Sequence, residues 1–363
     1  MIIQDTSKII LSKQQFAISN RDSVSVFEGQ NPFFTFQLSL YEGISMAEFK
    51  DGLIILSSYV PDVYKSIIVD ISSGQIIEYE NLVFHKMTKS FIAFNQYRGT
   101  NMVILNRTDF TEKIMISRRS GNRTLIHEDW FLTTITRVLT DNKGVFCQNL
   151  KSLDSTNWEY EIPKTYERKY YSVVKRQEDI KIPSVDKILG VYENLVWLVL
   201  NTGQFIALDL QTGYEVHSFW RATTGWNAPF DDSMGFNFLN CYSELDPEKG
   251  IIFGFRSHYY WEIDLKDPST QFIVYDWELD AKQHNILNSA SLGYYWEGDY
   301  IYFYETERSK KLGIFSRSRR SLVWSSTLEE IKGTFQKILY YQGQILILDS
   351  GSQLHFIPTE FNP

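Results

Sequence analysis

Cysteine is scarce in this chain of 363 residues: there are two, Cys147 and Cys241, far apart and without a Cys-x-x-Cys spacing. That argues against a disulfide framework and against a cysteine-based zinc cluster, and each thiol reads as a small buried hydrophobe. The six histidines form neither His-x-His nor His-Glu-x-x-His, so no metal is expected. A Gly-x-Ser-x-Gly elbow, a phosphate-binding loop and Gly-x-Gly-x-x-Gly are missing as well, and no cofactor is expected. No apolar run approaches the ~18 residues that a membrane-spanning helix needs. Asp5 and Lys8 interrupt the start where a secretory signal would be apolar, which makes a cytoplasmic location the expectation. Basic charge is short too. With 36 basic and 44 acidic residues the net charge is −8, the wrong balance for a protein that tracks nucleic-acid phosphates. The clusters Arg118-Arg119 with Arg123 and Arg317-Arg319-Arg320 read as solvated turns between strands.

What the chain has in quantity is aromatic residues, 15% of the total, a class that favours pleated, half-buried surfaces. Apolar or alternating runs of four to seven residues recur, bounded by Asn, Gly, Asp, Ser and Lys. GLIILSSYV with KSIIVDISSGQIIEYE (52–60, 65–80) and NLVWLVLNTGQFIALDLQTGYEVHSFW (194–220) are clear cases. This is the pattern of hairpins in an all-β protein. Long helical periods are rare. Residues 166–182 fit either a helix or a pair of strands with charged faces, and 327–333, with Ser326 and Glu329 at capping-box spacing, fits one helical turn.

The hairpins repeat. A polar residue closes the third apolar run of each unit at Asp70, Asn106, Asn149, Asp209, Asp264 and Ser316, at intervals of 36, 43, 60, 55 and 52 residues. A four-stranded propeller blade takes roughly 40–50 residues. Residues 24–37 read as the last two strands of a further blade whose first strands come from 337–349, with 353–359 behind them. The expectation is a single β-propeller domain over 1–363, of about seven four-stranded blades, with six or eight also open. It is closed by pairing of N- and C-terminal strands and carries longer insertions at 163–187 and 221–240.

The run 203–220 contains Ala207, Asp209, Thr212 and Gly213 in the order Ala-x-Asp-x-x-Thr-Gly. It resembles the repeat of pyrroloquinoline-quinone-like propellers, where a Trp after the turn docks neighbouring blades; here Trp220 stands three residues later than that pattern expects. Val69-Asp70-Ile71-Ser72-Ser73-Gly74 is a weaker echo. The resemblance, like that to WD-repeat-like propellers, is one of architecture, since the Gly-His and Trp-Asp marks of the latter are missing. Fold alone does not carry function. The residues themselves read as turn chemistry, with Asp209 accepting from backbone N–H groups and Gly213 supplying positive φ.

One segment stands apart. The loop 221–240 combines Trp226 and Phe230 with Asp231-Asp232, among residues that break up strands. Loops of that length are commonly functional, and aromatics on a loop over a rigid scaffold make interface anchors. Trp226, Phe230, Asp231 and Asp232 are therefore the expected partner-binding residues of a non-enzymatic protein that presents a loop-built surface. The expected partner is a protein, with a monomer, no nucleic acid and no membrane otherwise implied. The acidic balance suits a basic partner, and an immunity-type protein facing a toxin, or a scaffold, fits that description. The alternative is a hydrolase or lectin acting on a carbohydrate or other small ligand, with Asp231 or Asp232 as acid or base. No catalytic residue is assigned.

Overall fold

The computed structural model describes residues 2–12, 15–38, 41, 43–60, 63–99, 101–110, 113–116, 123–136, 142–152, 157–172, 176–220, 243–256, 258–267, 272–286, 292–305 and 310–359. Eight four-stranded antiparallel sheets, or blades, account for nearly all of its regular structure. Contacts group the chain into two compact units: 1–87 with 91–119 and 277–363, and 88–90 with 120–276.

The first unit holds five blades. Blade 1 is Lys8–Ser12, Gln15–Ser19, Ser23–Glu28 and Asn31–Gln37. Blade 2 is Ile44–Lys50, Leu53–Val60, Val63–Asp70 and Ile76–Glu80. Blade 3 is Leu82–Met87, Phe91–Gln96, Met102–Asn106 and Lys113–Ile116. Blade 7 is Leu292–Glu297, Tyr300–Glu305, Lys311–Ser316 and Ser321–Thr327. Blade 8 is Phe335–Tyr341, Gln344–Asp349 and Leu354–Pro358, completed by Ile2–Ile3 from the other end of the chain. That last pairing, Ile2 opposite His355 and Ile3 opposite Leu354, is the terminal closure.

The second unit holds three blades. Blade 4 is Thr124–His127, Trp130–Thr136, Asn142–Asn149 and Asn157–Glu161. Blade 5 is Val185–Tyr192, Leu195–Leu200, Gln204–Asp209 and Glu215–Trp220. Blade 6 is Ser243–Asp246, Ile251–Arg256, Tyr259–Asp264 and Phe272–Asp276. Within each unit the first strands of successive blades approach one another. The fourth strands carry the exposed edge, as the alternation of Ile76–Glu80 shows.

The count of about seven is thus corrected to eight. KIILS and QFAIS form the first half of a complete N-terminal blade, so 24–37 needs no C-terminal partner. The terminal exchange involves one two-residue strand. The possible helical turn at 327–333 is absent: Leu328 and Ile331 are buried in the core of blades 7 and 8 through a non-helical turn. A short helix, α1 (Glu278–Gln283), occurs instead. Trp277 before it and Ala281 within it are buried, Trp277 packing on Phe303 and Phe315. Lys164–Tyr166 is a 3₁₀ turn, and Arg168–Ser172 pairs antiparallel with Gln177–Lys181; the two-strand alternative for 166–182 holds.

Apolar residues alternate between the two faces of a strand, and within each unit the faces of neighbouring blades pack on one another. Trp197, Phe205, Tyr259 and Trp261 share one such core, with Tyr259 and Trp261 on one face of their strand. Trp261 lies against Gly254, its partner in the neighbouring strand, where a Cβ would stand 1.8 Å from the indole. Cys147 is fully buried, and burial pushes its thiol pKa up. Cys241 lies outside the described residues.

A candidate interaction surface

The repeating polar markers end the third strand of blades 2 to 7, and their side chains organise the turn that follows. Asp209 Oδ1 accepts from the N–H groups of Gln211 and Thr212, at 3.0 and 2.8 Å, and from the Thr212 hydroxyl at 2.8 Å. These donors, the Thr212 hydroxyl first, hold its pKa below the usual carboxylate value. Asp70 does the same with Ser72 and Ser73. Asn106, Asn149 and Asp264 each accept from the N–H two residues on, and Ser316 Oγ accepts from Arg319 N. The periodic acids are turn caps.

Beside the Asp209 turn, Gly213 has φ of +74°, and the ring of Trp158 occupies the space where its Cβ would be. Trp158 also donates its indole N–H to Leu210 O at 2.9 Å. The tryptophan that docks a neighbouring blade on this turn therefore comes from the fourth strand of blade 4, and Trp220 is not needed for it. Two arginines read as solvated are structural instead. Arg317 is buried, donates to Gly298 O at 2.6 Å and lies over Trp296. Arg123 donates to Val185 O and pairs with Asp186 at 2.6 Å.

Polar clusters elsewhere are also tied into the architecture. Asp349 and His355 form a buried pair at 2.9 Å, and Asp349 Oδ1 accepts from Gly351 and Gln353 N–H. Glu215 is gripped by the phenols of Tyr160, at 2.5 Å, and Tyr166. Burial, with the Glu215 contact, pushes the Tyr166 phenol up to about 12. This pins the 3₁₀ turn to the fourth strand of blade 5.

A different kind of cluster sits in the first unit. Tyr59 and Tyr64 face each other across the end of the second hairpin strand pair of blade 2. Tyr97, in the turn after the second strand of blade 3, packs against both. Ring centroids are 6.5 Å apart for Tyr59–Tyr64, 6.3 Å for Tyr59–Tyr97 and 5.9 Å for Tyr64–Tyr97. The two blades are stitched there by Asn81 N–H to Tyr64 O and Tyr97 N–H to Asn81 O, at 2.6 and 2.7 Å. Arg98 follows with φ of +56°, a conformation uncommon for a non-glycine residue, and its guanidinium lies 5.2 Å from the Tyr97 ring centre. Tyr59 is 55% exposed, whereas Tyr260 and Tyr302 are wholly buried.

The chain is an all-β propeller. No protein-family model matches it, and no curated protein sequence matches it. Solved structures share its fold at low identity. Sqt1 of Saccharomyces cerevisiae aligns with a TM-score of 0.56 at 8% identity, over 99% of this chain and 98% of that one. BamB of Moraxella catarrhalis aligns at 0.53 and 9%, over 98% and 97%. Hsv2 of Kluyveromyces lactis aligns at 0.52 and 10%, over 90% and 99%. At these identities the likeness concerns the β-propeller fold alone and does not bear on the quinone-type resemblance of 203–220.

Trp226, Phe230, Asp231 and Asp232 lie outside the described residues. The tyrosine cluster was not singled out from the sequence. Tyr-Arg-Gly at 97–99, a large aromatic and a cation inside a tight turn, was the available signal; that Tyr59 and Tyr64 meet it depends on how adjacent blades align.

Proposed function

We propose that this propeller is a non-enzymatic binding protein that offers a turn-built surface to a protein partner, with Tyr59, Tyr64, Tyr97 and Arg98 at one interface centre. The observation that carries the reading is the three-tyrosine cluster, with Tyr59 exposed, Tyr64 and Tyr97 half-buried beside it, and the Arg98 guanidinium over Tyr97. Tyr and Arg dominate interface hot spots. Tyrosine presents a large amphipathic area at small entropic cost. Here the three rings brace one another, and backbone hydrogen bonds through Asn81 tie Tyr64 to Tyr97, so little order has to be gained on binding. The sequence adds Trp226 and Phe230, with Asp231 and Asp232, as a further contact region on the segment 221–240. The net charge of −8 favours a basic partner through faster encounter. An immunity-type protein bound to a toxin, or a scaffold, is the finer form of this reading.

The test compares capture from native lysate by the wild-type chain with capture by Tyr59→Ala/Tyr97→Ala and by Trp226→Ala. A stoichiometric protein should be retained by the wild type. Each hot-spot truncation should weaken its affinity by about 2 kcal/mol or more, roughly thirtyfold. If the double tyrosine variant, shown to be folded, binds that protein as the wild type does, the cluster is not its interface.

A further inference from the structure

The first strands of blades 8, 1, 2 and 3 carry an unusual set of charges. Phe335–Tyr341, Lys8–Ser12, Ile44–Lys50 and Leu82–Met87 supply Lys337, Lys8, Lys50 and Lys86, with His85, against one acid, Glu48. In a chain where acids outnumber bases, this is a local reversal. All four lysines are half-buried.

Three of these strands have a β-bulge immediately before the charged residue. The register shifts between Phe335 and Lys337, between Met46 and Glu48, and between Phe84 and Lys86. A bulge re-aims a side chain, and here it turns charged groups toward the next blade. Lys337 Nζ donates to Ile9 O of blade 1 at 2.7 Å, and Glu48 Oε2 accepts from Met87 N of blade 3 at 3.3 Å. Lys8 is the residue next to that Ile9 carbonyl. Burial, and then the Lys8 charge, lower the Lys337 pKa. Burial lowers the Lys8 pKa as well.

Two half-buried lysines on adjacent strands, one bonded to the carbonyl of the residue that follows the other, concentrate positive charge at that edge, and an anion beside them offsets the cost. An ammonium has three protons, and the Ile9 carbonyl takes one from Lys337.

We propose that the first strands of blades 8 and 1 form a binding site for a small oxyanion, a phosphate or a carboxylate, held by Lys8 and Lys337, with Lys50 and Lys86 extending the basic surface on blades 2 and 3. The site is separate from the tyrosine cluster and stands whether or not that cluster binds a protein.

The probe is inorganic phosphate, titrated calorimetrically at constant ionic strength so that general screening is held fixed, with acetate as a second arm. Wild-type protein should bind phosphate saturably, near one per chain. Lys8→Gln, which leaves the Lys337 contact to blade 1 in place and should fold, should bind about tenfold more weakly or worse. Lys187→Met, in the second unit, is the control and should bind as the wild type. Binding of phosphate alone assigns a phosphoryl group; binding of both ions assigns an oxyanion more generally. No saturable binding of either ion overturns the proposal. So does equal weakening by Lys8→Gln and Lys187→Met, because the response would then follow overall charge and not this site.

Discussion

Blade 5 in one unit and blade 8 in the other solve the same structural problem with opposite electrostatics. Each has a bulge near the start of its first strand, between Val185 and Lys187 and between Phe335 and Lys337. In each, the lysine after the bulge reaches the backbone of the next blade, Lys187 to Ser243 O at 2.8 Å and Lys337 to Ile9 O at 2.7 Å. The neighbour differs. Beside Ser243 stands Glu244, whose carboxylate pairs with Lys187 at 2.8 Å; beside Ile9 stands Lys8. The backbone latch is common to both blades, and the charge beside it is opposite.

The first way to break this picture is to remove the material that makes the first unit continuous. Deleting residues 1–37 takes away all of blade 1 and the Ile2–Ile3 strand that completes blade 8, leaving unpaired edges and exposing Leu339, Tyr341 and Leu346, the blade 8 side of the core that Phe16 shares. The truncated chain should be insoluble or lack a cooperative melt. A soluble product with one sharp transition would mean that blades 7, 8, 2 and 3 do not depend on that closure.

The second unit has its own anchor in Trp158, and Trp158→Ala should destabilise the protein by about 3–5 kcal/mol, because it empties the space above Gly213 and removes the hydrogen bond to Leu210. Chemical denaturation gives the number. A loss below about 1 kcal/mol would show that the turn holds blade 5 without its neighbour.

That anchor also shows what could be read in the sequence. The polar markers at Asp70 to Ser316 were legible because a capped turn needs a side-chain acceptor followed by small or polar residues, a local requirement written in consecutive positions. Trp158 was not, because it acts across 52 residues, and a search for a tryptophan after Thr212-Gly213 finds Trp220 instead. Blade 1 was undercounted since KIILS and QFAIS are joined by only Lys13 and Gln14, with none of the Gly, Asn or Asp punctuation that marked the other hairpins. Helix α1 carried a legible signal in Trp277, Ala281 and the Glu278–Lys282 pair at 2.9 Å, spaced four apart, but six residues are too few for a period. The partial desolvation of Lys8 and Lys337 is a property of adjacent blades, and no single strand displays it.

Charge removal sharpens the comparison. Lys187→Met breaks a hydrogen-bonded ion pair and leaves Glu244 without that cation, at a cost of about 1–2 kcal/mol. Lys337→Met loses one hydrogen bond but also ends the repulsion from Lys8, so its cost should be clearly smaller. Equal losses in urea melts would show that the neighbour's sign does not matter.

The caps respond to pH. Asp209 has a depressed folded-state pKa, so its stabilisation is present at neutral pH and is lost as pH falls through that value. Asp209→Asn should cost about 1 kcal/mol at pH 7 and progressively less in acid. A difference between the two proteins that grows on acidification would contradict the cap assignment.

The smallest expected effect is the most discriminating, since it asks whether blade 8 can be given the electrostatics of blade 5. Lys8→Glu places a carboxylate on the residue before Ile9, where blade 6 carries Glu244 on the residue after Ser243. Lys337 would then face an opposite charge, and burial would be its one remaining source of unfavourable electrostatics. Because both groups keep contact with solvent, the gain should not exceed about 1 kcal/mol, and it should shrink as salt rises. Measured without phosphate, the variant should therefore melt at or above the wild type at low salt, with the two converging at high salt. Added phosphate should raise the wild-type melting temperature and leave the variant's unchanged, so that the ion and the substituted carboxylate act as alternative answers to one buried repulsion. A variant that is less stable at low salt would mean that Lys8 already has a favourable environment, and that the contrast between the two latches is one of sequence and not of energy.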